Sequence, residues 1–369
     1  MEKQKVVCIL PSIATGGAEK MAIDLVNSLN RDKFEIYLVS LYDKMDNVYD
    51  SLIDSDFVNL IYMNKKRGFD VKTYLGLYKI LKKINPIVVH THLHAAIYTM
   101  PWKIVNPSVR WIHTIHNEAS KEMPTLYLAI MKLMYKRGIA IPIAISTLIK
   151  NSIKDYYRIA DGRIPLIYNC IDTQYFKPNY HHDVVSENNV TKLCCVARFS
   201  YQKNHLLLLE AFSIALKQNN SLELTLVGDG ELRTEVEKKI ESLSISDKVK
   251  LVGNTNNVLK YLQESDIFIL SSRYEGLPLS VLEAMATGLG IIAPKVGGIP
   301  DVVNNGEEGI LAKPNDAHSL SSAIITLASD HQLLSKMKEK AYKKSKDFDV
   351  NIMSKLYEEE YLRIDPYEN

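Results

Sequence analysis

Long hydrophobic runs are absent from this 369-residue chain. The longest apolar stretches, such as Val6–Leu10 and Ile139–Ile145, fall well short of the ~20 residues that a membrane-spanning helix needs. The first of them gives way to polar residues from Thr15 without a credible cleavage site, so we expect no export signal. With 46% hydrophobic and 24% charged residues, the composition excludes a disordered chain, a collagen-like repeat and a disulfide-stapled miniprotein.

Cysteine is also scarce, with four residues and no Cys-x-x-Cys spacing. Cys8, Cys194 and Cys195 lie inside apolar, strand-like segments, where a thiol packs as a small hydrophobic group. A disulfide framework or a thiolate metal site would need closer and more regular spacings. We therefore expect free cysteines in a reducing cytoplasm.

A Gly-x-Gly-x-x-Gly dinucleotide fingerprint is missing, and the segment Ser12–Gly17 follows the first predicted strand instead. Gly16 and Gly17 open a predicted helix, where glycine lets backbone N–H groups approach a phosphate. A tight turn alone explains the two glycines equally well.

The net charge of +2 hides an asymmetry between the two halves. Residues 1–178 hold 24 Lys and Arg against 16 Asp and Glu, and the remainder holds 21 against 27. This predicts two lobes, the basic one facing something anionic, and no nucleic-acid motif is present. Lys65-Lys66-Arg67 and the apolar segment Met123–Tyr135 fit peripheral contact with an anionic membrane. A buried helix with solvated ends explains the apolar segment equally well.

Short aliphatic runs alternate with amphipathic stretches along the whole chain. The predicted strands are Val6–Leu10, Glu35–Leu41, Phe57–Tyr62, Ile87–His90, Val109–Ile115, Ile139–Ile145, Ile164–Tyr168, Lys192–Ala197, Leu222–Val227, Val249–Val252, Ile267–Leu270, Gly290–Ala293 and Gly309–Leu311. Repeated strand–helix units predict an α/β fold with two doubly wound parallel sheets, separated by a polar linker at 177–189. Since ligands bind beyond the carboxyl ends of parallel strands, the residues just after each strand are site candidates.

Histidines cluster after two of these strands. His90, His92 and His94 would project from one face if their strand continued, but no carboxylate or cysteine stands at ligand spacing, so we expect no metal site. His116 ends another strand, where a substrate contact and a structural hydrogen bond are both possible roles.

Two cations and two carboxylates follow strands of the second half. Arg198 and Lys203 stand at a strand's carboxyl end, where they suit a diphosphate, although solvated surface charge is the alternative. Glu275 and Glu283 flank the start of a predicted helix, at Leu279 and Ser280, and could bind sugar and ribose hydroxyls. A buried turn with solvated glutamates would produce the same pattern.

Together these motifs resemble the retaining GT-B glycosyltransferases of glycosyltransferase family 4, which includes bacterial capsule, lipopolysaccharide and mannolipid enzymes. The most specific part is Glu275 and Glu283 within Glu-Gly-Leu-Pro-Leu-Ser-Val-Leu-Glu-Ala-Met-Ala. Further matching positions, spread over most of the chain, are Gly16-Gly17, His116, Asn169 to Asp172, Arg198 with Lys203, Gly228-Asp229-Gly230, Gly253 and Gly297 to Asp301. The chain departs from the family at Cys170, which replaces a glycine, and at Asp301, which replaces a glutamate.

The resemblance implies two Rossmann-like domains facing a central cleft. Residues 1–178 would bind the acceptor, residues 179–349 the sugar nucleotide, and a C-terminal helix within 350–369 would complete the first domain. The implied catalytic residues are His116, near the anomeric centre, Arg198 and Lys203, on the diphosphate, and Glu275, on the transferred sugar. The implied donor-binding residues are Gly16 and Gly17 at the phosphates, Thr255 at the base, Leu279 and Ser280 at the diphosphate, and Glu283 at the ribose.

The expected activity is transfer of a sugar from a nucleotide sugar, UDP favoured over GDP, to a glycan or polyprenyl-linked acceptor with retention of configuration. Neither a metal nor another cofactor is expected, and the setting would be cell-surface polysaccharide synthesis in the cytoplasm, at the inner face of the membrane. A nucleotide-sugar epimerase of the same fold is an alternative that would need no acceptor. A non-catalytic sugar-nucleotide-binding partner of another transferase is a second alternative.

Overall fold

A computed structural model describes residues 2–14, 16–44, 48–66, 68, 70–179 and 190–363. The chain divides into two compact units: the first unit is Met1–Cys170 with Val350–Asn369, and the second unit is Ile171–Asp349. Most of the predicted linker, together with Thr15, Arg67 and the last six residues, lies outside the described residues.

Each unit is built on a parallel six-stranded sheet. The strands of the first unit are β1 (Gln4–Leu10), β2 (Phe34–Ser40), β3 (Val58–Tyr62), β4 (Val88–His92), β5 (Arg110–Ile115) and β6 (Ile141–Ala144). Those of the second unit are β7 (Thr191–Val196), β8 (Leu222–Val227), β9 (Val249–Gly253), β10 (Ile267–Ile269), β11 (Gly290–Pro294) and β12 (Gly309–Ala312).

Helices connect the strands and cover both sheets. They are α1 (Gly17–Ser28), α2 (Val71–Ile84), α3 (Ala96–Val105), α4 (Thr125–Lys136), α5 (Thr147–Tyr157), α6 (His205–Leu216), α7 (Arg233–Ser242), α8 (Val258–Gln263), α9 (Leu279–Ala286), α10 (Ile299–Val302), α11 (Ala317–Ser329), α12 (His331–Ser345) and α13 (Val350–Leu362). Among the helices of the described ranges, none is both long and apolar enough to cross a membrane.

In each sheet, the order in which the chain adds its strands reverses at one point. The orders are β3-β2-β1-β4-β5-β6 and β12-β11-β10-β7-β8-β9. The reversal falls between β1 and β4 in the first unit and between β7 and β10 in the second. Such points open a crevice beyond the carboxyl ends of the strands, where doubly wound proteins bind ligands. The predicted fold class, with two doubly wound α/β units, is confirmed.

The helix α13 belongs to the first unit, although it comes last in the chain. Its Tyr357 and Tyr361 are buried, and their hydroxyls lie 2.7 Å from Thr114 Oγ1 and 2.8 Å from His90 Nδ1. Cys170, the replaced glycine, is buried with its Sγ 3.2 Å from the sulfur of Met353 on the same helix. All four cysteines are free and buried, as predicted.

The predicted strand Ile164–Tyr168 is wrong. This segment forms a single isolated bridge, between Leu166 and Ala144. Pro165 has no N–H group to donate to a ladder, and its carbonyl accepts one bond from Ala144 N at 3.0 Å. The segment therefore lies beside β6 without extending the sheet.

The boundary between the units lies at Cys170–Ile171, whereas the sequence places it after Pro178. Ile171 N donates to Phe348 O at 3.0 Å, and Thr173 Oγ1 donates to Asp349 at 2.5 Å. Both bonds tie the segment that begins at Ile171 to the end of the second unit.

Candidate active site

Two predicted site residues of the second unit are in direct contact at the point where the strand order of its sheet reverses. Lys203 follows β7, and Glu275 follows β10, the strand paired with β7. The Lys203 Nζ lies 2.6 Å from Glu275 Oε1, and the carboxylate side chain is only 5% exposed. A nearly buried carboxylate is stable only with a partner, so each residue fixes the other.

Backbone and side-chain contacts hold this ion pair in place. Gln202 Nε2 donates to Tyr274 O at 3.0 Å and to Glu275 Oε2 at 3.4 Å. Ser271 Oγ donates to Lys203 O at 2.9 Å, which joins the loop after β10 to the loop after β7. Both Glu275 oxygens are therefore engaged before any ligand binds.

Gly297 supports the same loop from behind. Its φ of +61° is in the left-handed region, and a Cβ at this position would collide with the carbonyl oxygen of Glu275. The match to the family at Gly297 is thus explained by close backbone approach to a site residue.

Arg198 lies at the same end of the sheet but in a different environment. It follows β7, and its side chain is exposed. No hydrogen bond or ion pair joins it to another of the described residues. A guanidinium of this kind can receive an anionic ligand without first giving up a protein partner.

The remaining predicted donor residues surround the same carboxyl ends. The helix α9 begins at Leu279 after Pro278, and no side chain caps its free N–H groups. Leu279 is buried, Ser280 is half-buried, and Glu283 lies half-buried in the second turn. Thr255 follows β9, and its Oγ1 accepts from Asn257 N at 3.1 Å. These residues share an edge of the sheet, and Lys203 and Glu275 are two of them that form an ion pair.

In the first unit, Gly16 and Gly17 form the start of α1 behind β1. Gly16 is the N-cap residue, and no side chain caps the helix. Gly17 is exposed, and a Cβ placed on it would meet nothing within 4 Å. Neither backbone strain nor packing thus requires a glycine at position 17, which leaves the ligand interpretation open.

His116, at the end of β5, is buried in a network of imidazoles. Its Nε2 lies 3.0 Å from His92 Nδ1, so one ring donates and the other accepts. Burial lowers the pKa of His116 to about 3, and it lowers the pKa of His92 well below the usual range. Both rings are therefore neutral at pH 7, and His92 influences the tautomer of His116.

The loop after His116 is fixed by a buried carboxyl group. Glu122 accepts from His116 N at 3.3 Å and from Asn117 N at 2.9 Å. Burial raises the pKa of Glu122 to about 8. The sequence analysis missed this residue because nothing in the sequence distinguishes Glu122 from Glu118, which is solvent-accessible and pairs with Lys121.

His90, His92 and His94 would share one face only if their strand continued, and it does not. The strand β4 ends at His92, and Leu93, with φ +52°, turns the chain before His94. His90 and His92 alone share a face, with ring centroids 4.3 Å apart.

The expectation that no cysteine lies near these histidines holds along the sequence but is wrong in the fold. Cys8 on β1 pairs with His90 on β4 across the sheet. Ligand atoms of Cys8, His90 and His92 lie within 4.8 Å of one another. However, His90 Nδ1 and Nε2 already bond to Tyr361 and Thr114, each at 2.8 Å. A metal would have to displace one of these bonds, so the geometry favours a packed hydrogen-bond network.

Comparison with known proteins identifies the chain's relatives. The profile described as "Glycosyltransferase Family 4" matches residues 15–175, and that described as "Glycosyl transferases group 1" matches residues 176–344. The UDP-Gal:alpha-D-GlcNAc-diphosphoundecaprenol alpha-1,3-galactosyltransferase of Escherichia coli is 26% identical over 338 residues, 86% of each chain. The capsular polysaccharide biosynthesis glycosyltransferase CapH of Staphylococcus aureus is 29% identical over 367 residues, 97% of this chain and 98% of CapH.

Solved structures show the same fold. The crystal structure of HepE from Anabaena in complex with UDP and glucose has a TM-score of 0.81 at 19% identity, covering 97% of this chain and 99% of HepE. Adjoining family profiles thus account for both units, and bacterial transferases match nearly the whole chain. The protein is a glycosyltransferase of family 4 with the GT-B fold.

Proposed function

We propose that this protein transfers a sugar from a nucleotide-sugar donor, a UDP-sugar in the first instance, to a polyprenyl-linked or glycan acceptor, with retention of anomeric configuration. Its place would be in cell-surface polysaccharide synthesis, in the cytoplasm at the inner face of the membrane. Two relatives support this proposal: the E. coli enzyme is named for UDP-Gal and a diphosphoundecaprenol acceptor, and CapH is named for capsular polysaccharide biosynthesis.

The observation that carries the proposal is the Lys203–Glu275 pair, with the exposed Arg198 after the same strand β7, where the strand order of the second sheet reverses. Breaking a glycosyl–phosphate bond builds negative charge on the leaving diphosphate. Preorganised cations and free helix N–H groups stabilise such developing charge in the transition state. Arg198, Lys203 and the N–H groups at the start of α9 would supply this stabilisation, so the proposed mechanism requires no metal.

In this proposal the two members of the ion pair contact different parts of the donor. The diphosphate would share the Lys203 ammonium with Glu275, and the carboxylate would accept hydrogen bonds from hydroxyls of the transferred sugar. Glu283 is assigned to the ribose, Thr255 to the base, and Gly16 and Gly17 to the phosphates. His116, neutral and oriented by His92, is assigned to the reacting sugar.

Retention follows if attack and departure use one face of the sugar. The acceptor hydroxyl attacks the anomeric carbon from the side on which the diphosphate leaves. The electron pair of the broken C–O bond goes to the diphosphate oxygen, and that oxygen takes the proton of the hydroxyl. The diphosphate thus serves as leaving group and base, and the cations keep it in place.

A donor screen tests the proposal without knowledge of the acceptor. The purified protein is incubated with a panel of UDP- and GDP-sugars, and slow hydrolysis is followed by release of free sugar. We expect hydrolysis of one UDP-sugar and its loss in Arg198→Ala. Transfer to a polyprenyl-diphosphate sugar, with the new anomeric centre assigned by NMR, then tests retention. Isomerised nucleotide sugar would identify an epimerase, and binding without turnover would identify a non-catalytic partner.

A further inference from the structure

A buried imidazole that the proposed reaction does not use lies next to the loop that follows β5. His113 is on β5, and its side chain has no exposure to solvent. Its Nδ1 lies 3.0 Å from the carbonyl oxygen of Thr91 on β4, and its Nε2 lies 4.0 Å from Glu122 Oε1. The ring therefore connects the sheet with the buried carboxyl group that holds the loop of His116.

The bonds around Thr91 determine which ring nitrogen of His113 carries the hydrogen. A carbonyl oxygen only accepts, so His113 Nδ1 donates to Thr91 O. Thr91 Oγ1, also 3.0 Å from Nδ1, accepts from Trp111 Nε1 at 3.0 Å and donates to Ile112 O at 3.3 Å. Burial lowers the pKa of His113 to about 3, so the ring is neutral at pH 7. Nε2 consequently carries a lone pair and no hydrogen.

This lone pair faces the carboxyl group of Glu122. Nε2 is buried, and no residue in the described ranges forms a hydrogen bond to it. If Glu122 were ionised, lone pairs would face each other across 4.0 Å between two fully buried side chains. A hydrogen on Glu122 Oε1 turns this contact into an O–H···N attraction. Oε1 keeps a lone pair for His116 N, and Oε2 accepts from Asn117 N at 2.9 Å.

The surroundings of Glu122 favour the same protonated form. Burial raises the pKa of Glu122 to about 8. Burial also raises the pKa of Tyr135 on α4 and Tyr157 on α5, and the charge of Glu122 contributes to both shifts, so both hydroxyls are neutral at pH 7. In the part of the chain that the structure describes, His113 is the only basic side chain within ion-pair distance of Glu122.

We propose that Glu122 donates a hydrogen to His113 Nε2, and that this neutral pair positions His116 for the reaction. A neutral pair avoids the cost of two buried charges. Glu122 holds the backbone of His116, and His92 holds its ring through the 3.0 Å bond to Nε2. Glu122 and His113 are thus positioning residues that act through His116. The role given to His116 rests on the proposed function, whereas the place of the hydrogen does not.

Nitrogen chemical shifts of protein labelled with ¹⁵N-histidine test where the hydrogen lies. At pH 7 we expect His113 to carry a hydrogen on Nδ1 and a hydrogen-bonded lone pair on Nε2, with its signals assigned by their loss in His113→Asn. Ionisation of Glu122 should shift the Nε2 signal near pH 8 in the wild type but not in Glu122→Gln, whose carboxamide has no proton to lose. A hydrogen on Nε2 at pH 7, alone or together with one on Nδ1, would overturn the inference.

Hydrolysis of the UDP-sugar identified by the donor screen tests the positioning role. Glu122→Gln retains a neutral acceptor and an N–H donor, so its kcat should stay within about threefold of wild type. Glu122→Leu removes both and should lower kcat by about tenfold or more, with donor KM unchanged, because His116 would be misplaced. His113→Asn keeps a donor for Thr91 O but lacks Nε2, and it should lower kcat by about threefold or more. The matched control is Glu118→Leu, which removes a solvent-accessible carboxylate of the same loop and should behave like the wild type.

Two kinetic results would overturn the positioning role. One is a wild-type kcat in folded Glu122→Leu or His113→Asn. The other is an equal loss of kcat in Glu122→Gln and Glu122→Leu, which would assign the effect to a carboxylate charge. Urea unfolding establishes that each variant is folded, and the glutamine and asparagine variants remain informative if the leucine variant is not. Absence of hydrolysis in the wild type would contradict the proposed function, while the histidine shifts would still test the hydrogen, so the two failures are distinguishable.

Discussion

The two units share one architecture and differ in what they place at the carboxyl ends of their strands. In the second unit these ends carry an ion pair and an exposed arginine. In the first unit they carry buried imidazoles held neutral by desolvation, and the buried Glu122 carboxyl group accepts from the backbone of the loop that follows. The same doubly wound sheet therefore presents charged side chains at the strand ends of one unit and neutral, buried imidazoles at those of the other. Function follows from these few side chains and not from the sheet.

The outer surfaces differ in the same way. The first unit exposes aliphatic side chains between lysines, whereas the large hydrophobic residues exposed in the described part of the second are tyrosines. The two units thus differ both at their strand ends and on the surfaces of their helices. If these differences carry energetic weight, matched substitutions in the two units should have different consequences.

The largest expected effect comes from breaking the ion pair of the second unit. Lys203→Met leaves the nearly buried Glu275 carboxylate without its cation, which should lower the free energy of unfolding by about 3 kcal/mol and abolish donor hydrolysis. Adding Glu275→Leu should recover most of the stability and none of the activity. Urea unfolding of the two variants measures this. A loss below about 0.5 kcal/mol in Lys203→Met would mean that the pair acts like an exposed surface pair.

The two glutamates of the second unit should give opposite kinetic signatures. Contacts to the reacting sugar can tighten as its bond breaks, so Glu275→Gln should mainly lower kcat, by about 10- to 100-fold. Ribose contacts are equal in ground and transition states, so Glu283→Gln should mainly raise the donor KM. Steady-state kinetics with the identified donor measure both values. Reversed signatures in folded variants would exchange the two roles.

Buried Glu122 should give the first unit a pH dependence that the second does not share. Its pKa of about 8 in the folded state exceeds the usual ~4.3 of the unfolded chain, so the folded state holds a proton that the unfolded state has lost. Stability should therefore fall as the pH rises between these two values. Between about pH 6.5 and 8, Glu122 should contribute a loss of about 2 kcal/mol. The buried histidines contribute a gain over the same range, because the unfolded chain still releases histidine protons near pH 6.5.

Unfolding of wild type and Glu122→Gln across this pH range measures the effect. The stability of the wild type relative to the glutamine variant should fall by about 2 kcal/mol across this range, because the histidine contribution is the same in both proteins and cancels. An equal slope in both proteins would assign the pH dependence to other groups.

The smallest effects on stability compare one glycine from each unit. Gly17→Ala should change the free energy of unfolding by less than about 0.5 kcal/mol, because a Cβ there would meet nothing within 4 Å and φ lies outside the left-handed region, but it should raise the donor KM. Gly297→Ala should destabilise by about 1–2 kcal/mol, because φ is +61° and the Cβ would meet the Glu275 carbonyl oxygen. Unchanged donor kinetics in Gly17→Ala would remove Gly17 from the donor site.

Local patterns in the sequence predicted the sheets well where a strand has clear limits. The strand β8 is found at its predicted bounds, Leu222–Val227, because polar residues precede it and Gly228 follows it. The segment at Ile164 has a similar apolar pattern, but Pro165 removes the donor that a ladder needs. The apolar pattern alone does not show that a hydrogen-bond donor is missing from this segment.

Contacts between distant residues could not be predicted in the same way. The Lys203–Glu275 bond spans 72 positions and depends on β7 lying beside β10. The sequence contains both candidate residues, and the family resemblance predicts that they share one site, but neither shows that the two side chains form an ion pair. In the same manner, Cys8 approaches His90 through strand pairing, which spacing along the chain does not show.

The central claim is that the second unit holds a diphosphate site at the ends of β7 and β10. Calorimetric titration of UDP into the wild type and Arg198→Ala tests it most directly. Charge-assisted hydrogen bonds are worth about 1.5–3 kcal/mol, so the variant should bind about 10- to 100-fold more weakly with unchanged stability. The control Lys217→Ala removes an exposed cation at the far end of α6 and should bind like the wild type. Equal affinity in wild type and a folded Arg198→Ala would contradict the claim.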